Sequence, residues 1–229
     1  QREFSGNSFH LHTYMGVYEI RDRDEAVSIM VDKANIAADT IKNNYDCCVA
    51  YYDEHLLEIS IEQRRLLGEF EPALQNDEFV MYLQPQVKRD GAAKGAEALV
   101  RGLDEDGTII PPNRFIGTLE KSGNIRDLDL FVLNQAMAQM EAWRAAGLDL
   151  VKVSVNLSRV SLFAPTTLAS ILAIASHYPS IPLENVELEI TETIGWQEIS
   201  SLQALMEQFR QCGLHFSLDD FGSKYANMQ

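Results

Sequence analysis

"GLHFSLDDFG", Gly213 to Gly222, is the stretch on which the reading of the fold turns. It opens on a glycine suited to a helix C-cap. Phe216 and Leu218 then alternate with His215 and Ser217 as in a strand, and Asp219 and Asp220 stand side by side where that strand ends. Upstream, Ile199 to Cys212 carries a helical apolar stripe, and Val186 to Ile190 within "NVELEITE" reads as the preceding strand. The pattern repeats further back. Helical stretches run from Thr166 to His177 and from Ile125 to Ala146, the latter closed by Gly147, and between them lies a strand from Leu150 to Val155. Spacings of about 30 residues between the three strands suit β-α units, so the expected product is a parallel sheet, open or closed into a TIM-type (β/α) barrel.

Two more strands precede these, at Val80 to Leu83 and Gly95 to Val100. An eight-fold barrel needs roughly 250 residues, and only about 150 follow Phe79, so a barrel reading implies that about its first half is present. Before residue 54 the style differs. Phe9 to Ile20 alternates like a strand, Asp24 to Lys42 has a helical stripe and Cys47 to Asp53 reads as a short strand, a β-α-β piece too small to be a domain. A charged helix is expected to connect the two parts from residue 54 to 75, with Pro72 interrupting or restarting it. The expected organisation is therefore 1–53, a connector at 54–75, and 76–229.

Composition narrows the function. The 229 residues are 46% apolar and 23% charged, as in a globular protein. With 19 Lys and Arg against 34 Asp and Glu, the net charge of -15 argues against a groove for polymeric nucleic acid, which is held mainly by cationic contacts to phosphate. A small phosphorylated ligand fits if metal ions supply positive charge. Cys47, Cys48 and Cys212 make no disulfide framework and no zinc motif, which points to structural thiols in a reducing, cytoplasmic compartment. No run approaches the ~18 apolar residues of a membrane helix, and "QREFSGNSFH" has no signal-peptide core, so no membrane contact is expected in this segment.

The polar residues fall at telling places. Glu97 lies in one strand, Asn156 ends the next, Glu189 and Glu192 end "VELEITE", and Asp219 with Asp220 ends "HFSLDD". A single carboxylate at a strand end is usually solvated. Successive strands that each end in an oxygen donor point instead to one shared site, because the carboxyl ends of parallel β/α strands converge. Oxygen donors without His or Cys suit a hard cation such as Mg²⁺ or Mn²⁺. His10 and His12 read as a solvated strand face, and Met137 with Met140 as core.

Taken together, "YLQPQV" (Tyr82 to Val87), "EALVR" (Glu97 to Arg101), "GTIIPPNRFI" (Gly107 to Ile116), "VNLS" (Val155 to Ser158), "ELEITET" (Glu187 to Thr193) and "LDDFG" (Leu218 to Gly222) resemble the ordered motifs of EAL-domain cyclic di-GMP phosphodiesterases. The likeness covers about residues 70 to 229. Residues 1–53 resemble the C-terminal part of a GGDEF domain, whose signature loop would lie upstream of residue 1. The resemblance implies that Glu97, Asn156, Glu189 and Asp219 ligate metal, with Asp220 as a second-metal ligand. It implies that Gln84, Leu99 and Arg101 contact the cyclic dinucleotide, and that Glu192 holds the loop after "DDFG". A homodimer through the EAL domain would also be in keeping with the family.

The implied reaction explains these residue types. Phosphodiester hydrolysis needs a nucleophilic water and neutralisation of developing charge, which two divalent ions about 3.5 to 4 Å apart provide, and a planar Arg fork suits phosphate. Two departures stand out. The loop after "DDFG" reads "SKYANMQ" where the family favours small and hydroxyl residues. The family's general-base lysine and a further glutamate ligand belong to later strands, and neither position falls before Gln229; Lys224 is too close to Asp220 to be that lysine. The expectation is a cyclic di-GMP phosphodiesterase forming pGpG in a longer chain, with the 229-residue segment inactive alone; the alternative is a catalytically silent cyclic di-GMP receptor.

Overall fold

A computed structural model describes residues 2–4, 7–9, 13–42, 47–191 and 199–219, and the chain divides into two units, 1–68 and 69–229. In the first unit β1 (Arg2–Phe4) and β2 (Asn7–Phe9) pair antiparallel. They are followed by β3 (Met15–Val17), α1 (Val27–Thr40) and β4 (Val49–Tyr51). β3 and β4 run parallel, and α1 supplies the long crossover that a parallel pair needs. Gly16 lets α1 lie against the strand, since a Cβ there would fall 1.7 Å from the Ala34 carbonyl oxygen. The Lys33 ammonium pairs with Glu25 at 2.5 Å and stands 4.7 and 5.7 Å from the ring centres of Tyr18 and Tyr52. His10 and His12 lie outside the described residues.

Helix α2 (Glu54–Gln75) passes through Pro72 without a break, contrary to the interruption the sequence suggested. Pro72 sits in the last turn, where its missing N–H removes a single bond, and the ladder resumes at once with Asn76 N–H donating to the Pro72 carbonyl. Burial of Phe70 and Ala73 holds the helix on either side of it.

The second unit continues with β5 (Phe79–Val87), β6 (Ala93–Leu103), β7 (Ile109–Ile110), α3 (Ile116–Ser122), α4 (Ile125–Ala145), β8 (Lys152–Asn156), α5 (Arg159–Phe163), α6 (Thr167–Ser176), β9 (Val186–Thr191), α7 (Ile199–Gln211) and β10 (His215–Asp219). The sheet order is β10-β9-β8-β6-β5, with β7 also paired to β6. β6, β8, β9 and β10 are mutually parallel, as the β-α spacing required. β5 is the exception, pairing antiparallel with β6, so the sheet is mixed and not wholly parallel. Residues 88–92 are too short for a crossover helix and form a turn instead, with Gly91 at φ 83° and Lys88 N–H bonded to the Ala92 carbonyl. "RDG" in that turn was the local signal for it.

Helices α4, α6 and α7 cover one face of this sheet. The stripe of α4, with Val132, Leu133, Ala136, Met137 and Met140, packs on Ala98, Val153, Val155, Leu188 and Ile190, together with Ile171 of α6 and Phe209 of α7. Met137 and Met140 are fully buried. Both long helices end in the same device. Gly147 at φ 77° and Gly213 at φ 91° adopt the left-handed conformation, while the next residues, Leu148 and Leu214, bond back to the carbonyls of Trp143 and Phe209. This is the Schellman closure, and buried Leu214 and Phe209 supply its hydrophobic contact.

Candidate active site

Side chains alternate across a strand, so covering one sheet face with helices sorts the residues of each strand into two sets. Val153 and Val155 of β8 go to the core, leaving Ser154 and Asn156 on the opposite face. Leu188 and Ile190 of β9 likewise leave Glu187 and Glu189, and Ala96 and Ala98 of β6 leave Glu97, Leu99 and Arg101. On β5 the inward set is Phe79, Met81 and Leu83, which leaves Tyr82 and Gln84. The opposite face, helix-free among the described residues, thus carries Gln84, Glu97, Leu99, Arg101, Asn156 and Glu189.

Register then brings specific pairs together. Gln84 lies opposite Glu97, Glu97 opposite Ser154, Asn156 opposite Glu189, and Tyr82 opposite Leu99. Asn156 Nδ2 donates to Glu97 Oε1 at 3.1 Å, joining two residues 59 positions apart in the chain. Ser154 Oγ donates weakly to Glu187 at 3.5 Å. Arg101 stands further toward the carboxyl end of β6, its Nη1 donating to the Val100 carbonyl at 2.7 Å. On β10 the backbone register pairs Ser217 with Glu189 and Asp219 with Thr191. The side chain of Asp219 lies outside the described residues, as do Asp220 and Glu192 entirely.

Among the described residues no three His, Cys, Asp or Glu side chains gather as a metal cluster. What gathers is a carboxylate bonded to a carboxamide, with Glu189 paired to Asn156 in the backbone register. Among the described residues these three side chains offer oxygen ligands, which fit a hard divalent cation. Glu97, Asn156 and Glu189 are each half-buried, which limits but does not remove water.

One residue of α4 that meets the chain just past the end of β8 escaped the sequence reading. Asp129 occupies the apolar stripe of α4, next to Leu128 and four before Leu133, and is 8% exposed. Its Oδ2 accepts from the Ser158 N–H at 2.9 Å and the Ser161 hydroxyl at 2.6 Å. Burial pushes its carboxyl up to about 6 from 3.8; the two serines pull the other way, and Glu120 adds a small upward push. The signal was present in the chain: an acid at a position whose neighbours at i+3, i+4 and i+7 are Val132, Leu133 and Ala136.

Comparison with known proteins agrees with this layout. The EAL domain model matches residues 68–229 and leaves residues 1–67 outside it. The cyclic di-GMP phosphodiesterase PdeR of Escherichia coli is 31% identical over 158 residues, 68% of this chain and 23% of that protein. The signaling protein YkoW of Bacillus subtilis is 30% identical over 172 residues, 74% of this chain and 21% of that protein. The solved cyclic di-GMP complex of the MucR phosphodiesterase of Pseudomonas aeruginosa superposes with a TM-score of 0.65 at 29% identity, over 70% of this chain and 65% of that one. The chain therefore spans less than a quarter of the length of the two full-length relatives. With the model matching well over half of its residues, on the same strands that carry the polar face, the chain belongs to the EAL-domain family.

Proposed function

We propose that the protein hydrolyses cyclic di-GMP to pGpG with Mg²⁺ or Mn²⁺ bound on the helix-free face of the sheet. The observation that carries this reading is the meeting of Asn156 and Glu97 across two strands, with Glu189 in register beside them. In that reading Glu97, Asn156, Glu189, Asp219 and Asp220 hold the metal, and Glu192 steadies the loop that follows. When bound, divalent ions supply a nucleophilic water near neutral pH and neutralise charge on the phosphate.

The protein's own side chains do the rest. Arg101, just beyond Glu97 on β6, offers a planar cation to a phosphate oxygen, and Gln84 and Leu99 flank Glu97 where the dinucleotide would lie. Cyclic di-GMP is small and carries few charges, so one arginine beside bound metal suffices where a polymer would need a basic groove. The sheet is proposed as part of a TIM-type barrel with this polar face turned inward, its ligand residues lying toward the carboxyl ends of the parallel strands, where such strands converge. Residues 1–53, with the β3-α1-β4 crossover, are proposed as the end of a GGDEF-like domain joined by a connecting helix at 54–75, and a homodimer through the EAL domain is part of the same reading. The free Cys47, Cys48 and Cys212 of the chain suit a cytoplasmic protein. Among the described residues no helix is long and apolar enough to cross a membrane.

The test is chromatographic detection of pGpG from cyclic di-GMP by the full-length protein, with Mg²⁺ or Mn²⁺ and with EDTA, alongside Glu97→Gln. Metal-dependent turnover that the substitution abolishes is the expected result. A wild-type protein that binds the dinucleotide but never yields pGpG defeats the proposal.

A further inference from the structure

Asp129 is an expensive residue at its position, because a carboxyl among the core side chains of α4 loses its hydration. Its hydrogen bonds show where that cost is directed. Ser158, whose N–H it accepts, stands two residues after Asn156. Between them, Leu157 donates its N–H to the Glu189 carbonyl at 2.8 Å. The end of β8 is thus held at Leu157 by β9 and at Ser158 by α4, and from this held segment Asn156 reaches Glu97.

We propose that Asp129 is a positioning residue: its carboxyl group fixes the end of β8 so that Asn156 meets Glu97 in the metal-binding arrangement. The inference rests on the metal reading above. A simpler role competes with it. Ser158 is also the N-cap of α5, its Oγ accepting from the Ser161 N–H at 3.1 Å and donating to Ser161 Oγ at 2.9 Å. Asp129 could serve that cap alone. The two roles differ in what they predict for Ser158→Ala, which deletes the cap side chain but keeps the backbone N–H that Asp129 holds.

The experiment compares full-length wild type, Asp129→Ala, Asp129→Asn and Ser158→Ala by two readouts. One is Mn²⁺ affinity by calorimetry. The other, recorded without metal, is the Asn156 side-chain amide resonance in asparagine-labelled protein, assigned by its loss in Asn156→Ala. Asp129→Ala should weaken Mn²⁺ binding about tenfold or more, in the range typical for partners behind a metal ligand, and should shift or broaden the amide signal. Asp129→Asn accepts the same two hydrogen bonds and should restore both readouts. Ser158→Ala should leave both near wild type while lowering thermal stability.

Unchanged affinity and an unmoved amide signal in folded Asp129→Ala overturn the proposal, and so does a loss in Ser158→Ala equal to that in Asp129→Ala. If Asp129→Ala does not fold, Ser161→Ala removes one of the two bonds and should produce a smaller change in the same direction; wild-type values there overturn the proposal. A wild type that binds no Mn²⁺, with an amide signal that still moves in Asp129→Ala, removes the metal reading and upholds the positioning role.

Discussion

Replacing Asp129 by Asn should stabilise the protein at neutral pH and do little at pH 4. Burial raises the carboxyl from 3.8 to about 6, so between those values the folded protein retains a proton that the unfolded chain has released. Stability therefore falls as pH rises through this window: the contribution is complete below the unfolded value and gone above the folded one. At 1.36 kcal/mol per unit, the shift from 3.8 to about 6 corresponds to about 3 kcal/mol. Asn cannot ionise, yet its carbonyl oxygen can accept from both the Ser158 N–H and the Ser161 hydroxyl that now meet Oδ2. Urea unfolding of both proteins at half-unit steps from pH 4 to 7.5 measures the effect. Other carboxylates titrate in both proteins, so the difference curve isolates residue 129. It should rise in favour of Asn by about 2 to 3 kcal/mol between pH 4 and 7.5. A difference that stays flat with pH would refute the assignment of a raised carboxyl at this position.

Arg101→Ala is expected to weaken cyclic di-GMP binding by about 2 to 5 kcal/mol while leaving Mn²⁺ affinity unchanged, both by calorimetry, because the guanidinium meets phosphate and not metal; equal dinucleotide affinity would remove the role. Gly16→Ala places a Cβ 1.7 Å from the Ala34 carbonyl oxygen, so α1 must move off β3. Thermal unfolding of the first unit should show a loss of about 1 to 3 kcal/mol or more, the cost of overpacking, and wild-type stability would mean that α1 does not lie so close.

Much of the second unit was legible along the chain because its signals are local. Alternation at Val153, Ser154, Val155 and Asn156 marks a strand and separates its faces, and Gly147 and Gly213 mark helix ends because only glycine enters the left-handed region cheaply. Their places in or at the ends of successive strands put Glu97, Asn156 and Glu189 among the candidates before any partner was known. It could not say which strand lies beside which, since every strand edge offers the same backbone donors and acceptors. Tertiary structure decided that β5 turns back antiparallel on β6, and that register carries Asn156 to Glu97 across 59 positions. It also decided that Pro72 is tolerated, because packing at Phe70 and Ala73 outweighs one missing hydrogen bond. Asp129 shows the division most plainly. The stripe of α4 marked its position as buried, but only the fold placed Ser158 and Ser161 against it, because a hydrogen bond depends on where two distant segments of chain finally meet.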